Sequence, residues 1–135
     1  MAELLIVDDD EDIAAALADV LECEGHRVRL AHDGVEGLKR LREGRPDAIL
    51  LDVEMPRLTG PQMAYEIFLR DAGDEMIPIL LLSGKLDLDC VAAAVGTPYY
   101  LSKPYPVDDL LALLDRALAE RMPPRPRLAA AVAHP

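Results

Sequence analysis

Four strand-like segments that each run into a polar side chain constrain this chain more than any other feature. Leu4-Leu5-Ile6-Val7 runs into Asp8, Ala48-Ile49-Leu50-Leu51 into Asp52, Ile79-Leu80-Leu81-Leu82 into Ser83, and Tyr99 to Ser102 into Lys103. Short unbroken apolar runs read as strands buried on both faces, the habit of parallel sheets. A further strand, Arg27 to Ala31, alternates Arg27, Val28, Arg29 and Leu30, so one face is polar and it belongs at an edge. Helical patterns fill the gaps. The first runs from Glu11 to Glu24, with Ile13, Leu17, Val20 and Leu21 as its inward stripe and Gly25 as its stop. The second runs from Gly34 to Glu43, with Val35, Leu38 and Leu41 inward and Gly44 closing it. A third starts near Pro61, a favoured first helical position, and ends about Arg70. A short fourth, Leu88 to Val95, ends at Gly96, and a fifth begins at Pro106 and continues through Val107, Leu110, Leu111, Leu114 and Leu118. This alternation predicts an α/β fold: a doubly wound, five-stranded parallel sheet of order 2-1-3-4-5 with right-handed crossovers.

The 135 residues suit one domain. That domain is expected over residues 1–121. After Met122 the composition changes to Pro123-Pro124-Arg125-Pro126-Arg127 and then alanines, so 122–135 reads as a flexible tail. A net charge of −11 disfavours nucleic acid and anionic lipid as partners. No apolar run reaches membrane-spanning length, and no secretion signal opens the chain. Cys23 and Cys90 form no close pair, which fits ordinary buried thiols and a cytoplasmic setting. His26, His32 and His134 lack metal-ligand spacing, and His26 and His32 read as surface residues flanking the edge strand. No phosphate-cradling glycine loop and no Ser-His-Asp set is present.

In such a sheet, ligands sit beyond the carboxyl ends of the strands. Those ends carry Asp8, Asp9 and Asp10, then Asp52, Ser83 and Lys103. Crowded carboxylates repel, and some would take up protons unless a hard cation offset them. Mg²⁺ suits this demand, because it prefers oxygen ligands and binds through one or two carboxylates plus phosphate oxygens. Lys103 adds a mobile positive charge and Ser83 a hydroxyl, a set suited to neutralising a phosphoryl group in transfer. Asp52 is the natural nucleophile for an aspartyl phosphate. Each residue also has a plainer reading: the Asp8-Asp9-Asp10 run suits a helix N-cap, Asp52 a turn, Ser83 a cap and Lys103 a solvated charge. Only their conjunction at several strand ends carries information.

These motifs together resemble the receiver domain of bacterial response regulators, a flavodoxin-like fold. The resemblance rests on Leu-Ile-Val-Asp-Asp-Asp-Glu-Asp-Ile at 5–13, Leu-Leu-Asp-Val-Glu-Met-Pro-Arg-Leu-Thr-Gly at 50–60, Leu-Leu-Ser-Gly at 81–84 and Tyr-Leu-Ser-Lys-Pro-Tyr at 100–105. It spans about residues 3–121. It implies a phosphoacceptor, Asp52, charged by a sensor histidine kinase or a histidine phosphotransfer protein in a two-component phosphorelay. It implies Mg²⁺ held by Asp9, Asp52 and the backbone carbonyl of Glu54, with Asp8 helping through water. Lys103 would contact the phosphoryl group, the peptide bond before Pro104 would be cis, and Ser83 and Tyr100 would act as the switch. The face of the fourth helix, fifth strand and fifth helix would then meet a downstream protein, from a monomer or weak dimer. Glu54 and Lys85 would flank the path of the water that removes the phosphate, and an ion pair between them would slow that step. The resemblance implies a signalling module rather than an enzyme, here read as stand-alone. The span from Ser83 to Lys103 is a couple of residues short for the family, Thr97-Pro98 replaces a more acidic turn, and Tyr105 stands where phenylalanine is usual.

Two other readings compete. A small Mg²⁺-dependent phosphatase would use Asp8 as nucleophile in an Asp-x-Asp motif, but leaves Asp52 and its Met-Pro sequel unexplained. A receiver-like scaffold working without phosphate would not need the chemical residues present. Replacing Asp52 separates the first from the preferred reading.

Overall fold

A computed structural model describes residues 2–52, 70–84, 92–93 and 95–125. Strand β1 (Glu3–Val7) leads through helix α1 (Glu11–Cys23) to β2 (Arg27–Ala31), and helix α2 (Gly34–Glu43) leads to β3 (Ala48–Asp52). Strands β4 (Ile79–Ser83) and β5 (Tyr99–Ser102) follow, and then a helix over Val107–Glu120. The strands form one parallel sheet in the order β2-β1-β3-β4-β5. The expected sheet is therefore the observed one, with β2 at an edge.

Side chains alternate across the sheet and make two cores. Leu5, Val7, Ile49, Leu51, Ile79 and Leu81 pack on one face with Leu41, Ala72, Ala92 and Val95. Leu4, Ile6, Leu50, Leu80 and Leu82 pack on the other with Ala14, Ala18, Leu21, Leu110 and Leu114. Thus α1 and the Val107–Glu120 helix cover one face, while α2 and the segments at 72 and 92–95 cover the opposite one, which is the doubly wound arrangement.

Several local expectations need correction. In α1 the inward stripe is Ala14, Ala18 and Leu21, while Ile13 is 45% exposed. In α2 the buried residues are Gly34, Gly37 and Leu41, and Val35 is 64% exposed. In both helices small residues face the sheet and let the axis approach closely, which rotates the larger side chain outward. Residues 70–74 are helical, beyond the end expected at Arg70, with Ala72 buried in the core; the earlier part of the third expected helix lies outside the described residues. The chain then turns at Met76 with φ 60°. Cys23 is exposed rather than buried; Cys90 lies outside the described residues. His26 is half-buried, and its Nδ1 accepts the Ala2 N–H at 3.1 Å. Arg29 is half-buried on the edge strand and donates to the carbonyls of Arg40 (3.0 Å) and Gly44 (2.5 Å), satisfying the end of α2. The segment expected to be tail begins with four residues, 122–125, that lie against the domain, with Pro124 buried.

The two faces of α2 give a direct test. Leu41→Ala should lower unfolding free energy by about 2–5 kcal/mol, and Val35→Ala should change it by no more than about 0.5 kcal/mol. Urea denaturation of both variants measures the contrast; comparable losses would show that α2 packs through a different stripe.

Candidate functional site

Strand register builds the site. Val7 stands level with Leu51 across β1 and β3, so Asp8 and Asp52, each one residue further, emerge side by side. Asp52 is level with Leu82, and Ser83 with Ser102, so Ser83 and Lys103 close the other flank. Asp8, Asp52 and Ser83 are at most 4% exposed. The adjoining cleft is lined by Asp8, Asp9, Asp10, Glu11, Ile13 and Lys103.

The three aspartates after β1 divide their roles. The Oδ1 of Asp10 accepts from the backbone N–H groups of Asp12 (3.0 Å) and Ile13 (3.1 Å), so Asp10 is the N-cap of α1. Asp8 Oδ1 accepts the Asp10 N–H at 2.9 Å, which aims the remainder of its carboxyl at Asp52. Asp9 lies exposed on the cleft wall. The capping reading therefore holds for Asp10, and Asp8 and Asp9 are left to the cleft.

Lys103 forms an ion pair with Asp52 through Nζ and Oδ2. Burial works against the Lys103 charge, but the bond to Asp52 and attraction from Asp52 and Asp8 outweigh it and raise its pKa above the ordinary value. Burial pushes the Asp8 carboxyl up to about 7; the Asp10 N–H opposes that rise and the Asp52 charge adds to it. One lysine thus does not balance the site. Asp8 Oδ2 and Asp52 Oδ1 are both buried without a hydrogen-bond partner. Unpartnered buried carboxylate oxygens are costly, and a hard cation with oxygen ligands removes that cost. The residues present therefore fit Mg²⁺.

The remaining expected residues are placed as follows. The Lys103-Pro104 bond is cis. Tyr100 is 43% exposed and is not among the residues that line the cleft. Glu54 and Lys85 lie outside the described residues. Sequence reasoning missed the part of Glu11 and Ile13 in lining the cleft; their only signal was their position in the first turn of α1. It also passed lightly over Tyr105. Burial pushes the Tyr105 phenol up, the nearby Lys103 charge opposes this, and Asp52 and Asp8 add to it, so its ring lies within electrostatic reach of the site.

The fold and site together define a doubly wound α/β domain with carboxylates and a lysine gathered at the carboxyl end of its sheet. The particular family is shown by comparison with known proteins. The chain belongs to the response regulator receiver domain family, whose pattern matches residues 4–115, and so to two-component signal transduction. It is 42% identical over 123 residues to the response regulator MprA of Mycobacterium avium (strain 104) and to that of Mycobacterium tuberculosis (strain ATCC 25618 / H37Rv), covering 90% of this chain and 52% of each relative. The chain thus spans about half the length of these curated relatives. Among solved structures, a response regulator receiver domain from Clostridium thermocellum superposes with TM-score 0.73 at 28% identity, covering 90% of this chain and 97% of that one. The Vibrio cholerae chemotaxis protein CheY4 superposes with TM-score 0.72 at 32% identity, covering 86% and 98%.

The raised pKa of Asp8 has a sign. In metal-free protein the folded state keeps a proton on Asp8 from its ordinary value of 3.8 up to about 7, while the unfolded chain has released it. Folding then takes up a proton, so this group's contribution to stability falls as pH rises through that window. Urea denaturation in chelator should give a lower midpoint at about pH 8 than at about pH 5, and Asp8→Asn should flatten the difference. A slope that Asp8→Asn leaves intact would assign the pH dependence to other groups.

Proposed function

We propose that this domain takes a phosphoryl group onto Asp52 from the phosphohistidine of a sensor histidine kinase or a histidine phosphotransfer protein, and that the added charge switches a protein-binding face. The observation that carries this reading is the Lys103–Asp52 pair beside the unpartnered oxygens of Asp8 and Asp52. An Asp52 oxygen forms the new bond to phosphorus while the phosphorus–nitrogen bond breaks, and the departing imidazole takes a proton. Lys103, already bonded to the Asp52 carboxylate, would meet the phosphoryl oxygens as they arrive, and Ser83, one residue beyond Leu82, would offer them its hydroxyl. Asp9, Asp52 and the carbonyl of Glu54 would hold Mg²⁺, with Asp8 helping through water, and the bound ion would supply the positive charge that lets anion meet anion.

The face that responds comprises the fourth expected helix, β5 and the Val107–Glu120 helix. Tyr100, on β5, is the side chain that would turn inward. Its outward, half-exposed position fits the unphosphorylated form. The strong negative charge favours a protein partner over nucleic acid, a cytoplasmic setting suits a kinase partner, and a monomer or weak dimer is expected. Among the described residues no helix is long and apolar enough to cross a membrane. The phosphatase reading loses support because Asp10, the second carboxylate of its motif, is engaged in capping α1.

Incubation with Mg²⁺ and acetyl phosphate tests the proposal. Mass measurement should show a gain of one phosphoryl group that is absent in Asp52→Ala; uptake retained in that variant would overturn the assignment. For Glu54 and Lys85, the double variant Glu54→Ala, Lys85→Ala should lose its phosphate severalfold faster than the unaltered domain. An unchanged decay would remove their proposed role as a pair that slows the attacking water.

A further inference from the structure

The end of the sheet opposite the aspartates holds a second construction that the phosphoacceptor reading does not use. The Val107–Glu120 helix stops at Arg121, which takes the left-handed conformation (φ 54°) while its N–H bonds the Ala117 carbonyl at 2.8 Å. Non-glycine residues seldom adopt that conformation, and here it turns the chain back under the sheet. Met122 then donates its N–H to the hydroxyl of Tyr99 at 3.3 Å, and that hydroxyl donates to Glu120 at 3.0 Å. The Tyr99 ring is fully buried at the start of β5, with the Arg116 guanidinium 5.3 Å from its centroid. Tyr99 therefore serves as a rigid post.

Two residues later Pro124 is buried, a position that suits proline because it has no N–H to leave unpaired. Arg125 donates its N–H to the carbonyl of Gly96 at 3.1 Å. The floor beneath this segment is glycine. A Cβ on Gly96, where φ is +75°, would lie 1.9 Å from the Arg125 carbonyl oxygen, and one on Gly73 would lie 2.9 Å from that of Pro124. No side chain fits at either distance. The floor is held in place by Thr97, whose hydroxyl donates to the Ile79 carbonyl at 2.5 Å and accepts the Tyr99 N–H at 3.1 Å. The segment starts from the helix on one face of the sheet and ends against Gly73 and Gly96, which belong to the opposite face.

We infer that residues 122–125 form a strap, posted on Tyr99 and seated on a glycine floor of Gly73 and Gly96, that wraps the base of the sheet from the Val107–Glu120 helix to the opposite face. The occupant of this groove is the chain's own Met-Pro-Pro-Arg segment. Its adjacent prolines restrict the free chain, so little conformational entropy is lost on docking.

Amide hydrogen exchange on the full chain tests this. The Met122 and Arg125 amides should exchange at least about tenfold more slowly than in a free peptide. Tyr99→Phe keeps the ring but removes the post; both amides should then speed up together, although Arg125 does not touch Tyr99. Gly96→Ala should bring both to free-peptide rates by ejecting the strap, and if that variant fails to fold, Tyr99→Phe carries the test alone. Free-peptide rates in the unaltered chain would overturn the inference, as would an Arg125 amide indifferent to Tyr99→Phe. Protection that appears only together with a concentration-dependent dimer would also overturn it, because the segment would then be docking on a second copy.

Discussion

The ion pair between Lys103 and Asp52 reaches across β4, from the end of β5 to the end of β3. Nearly everything at the upper end of the sheet depends on it. Without the ammonium group, two adjoining carboxyls would face one another in a cleft where both are almost fully buried, and low exposure makes such a charge expensive. With it, two carboxyl oxygens still lack a partner, and burial, with the Asp52 charge adding to it, keeps the Asp8 carboxyl raised. A site left in that condition suits chemistry in which a cation and a phosphoryl group arrive together, because their charges complete a balance the protein itself leaves open.

Backbone order makes that imbalance tolerable. Parallel pairing places Asp8 and Asp52 level, and the helix that follows immediately recruits Asp10 as its cap. The cap consumes one of three consecutive carboxylates and fixes the turn from which Asp8 points inward. Capping and charge crowding are therefore connected: the helix start that relieves one aspartate holds another against Asp52. At the opposite end the sheet presents hydroxyls and glycines around β5, with the Glu120 carboxylate accepting from Tyr99. There Tyr99, Thr97 and Gly96 receive a returning backbone, so β5 carries the lysine of the cleft at one end and the post of the strap at the other.

Much of this was legible in the chain of letters. The apolar runs at 4–7, 48–51 and 79–82 read as buried strands and the alternating Arg27 to Ala31 as an edge, which made 2-1-3-4-5 one doubly wound solution, the one observed. Asp52, Ser83 and Lys103 were legible because each directly follows such a run. The failures were of another kind. Ile13 and Val35 were expected inside because they are large and apolar, yet alanines and glycines took the inner positions. Periodicity identifies a stripe but not its rotation when small residues allow a close helix–sheet approach. Residue type alone could not separate the roles within Asp8-Asp9-Asp10, since capping and cleft lining ask for the same side chain; only the family resemblance set Asp8 and Asp9 apart.

The sequence alone determined which segments are strands, which strand lies at the edge, and which polar residues gather at the carboxyl end, because apolar patterning and strand-end position are local properties. Tertiary structure alone decided which aspartate caps and which confronts Asp52, how helices α1 and α2 rotate on the sheet, and where residues 122–125 go. Those outcomes depend on distances between residues far apart in the chain, such as Arg125 over Gly96 and Met122 beside Tyr99, and no local pattern encodes a distance of that kind.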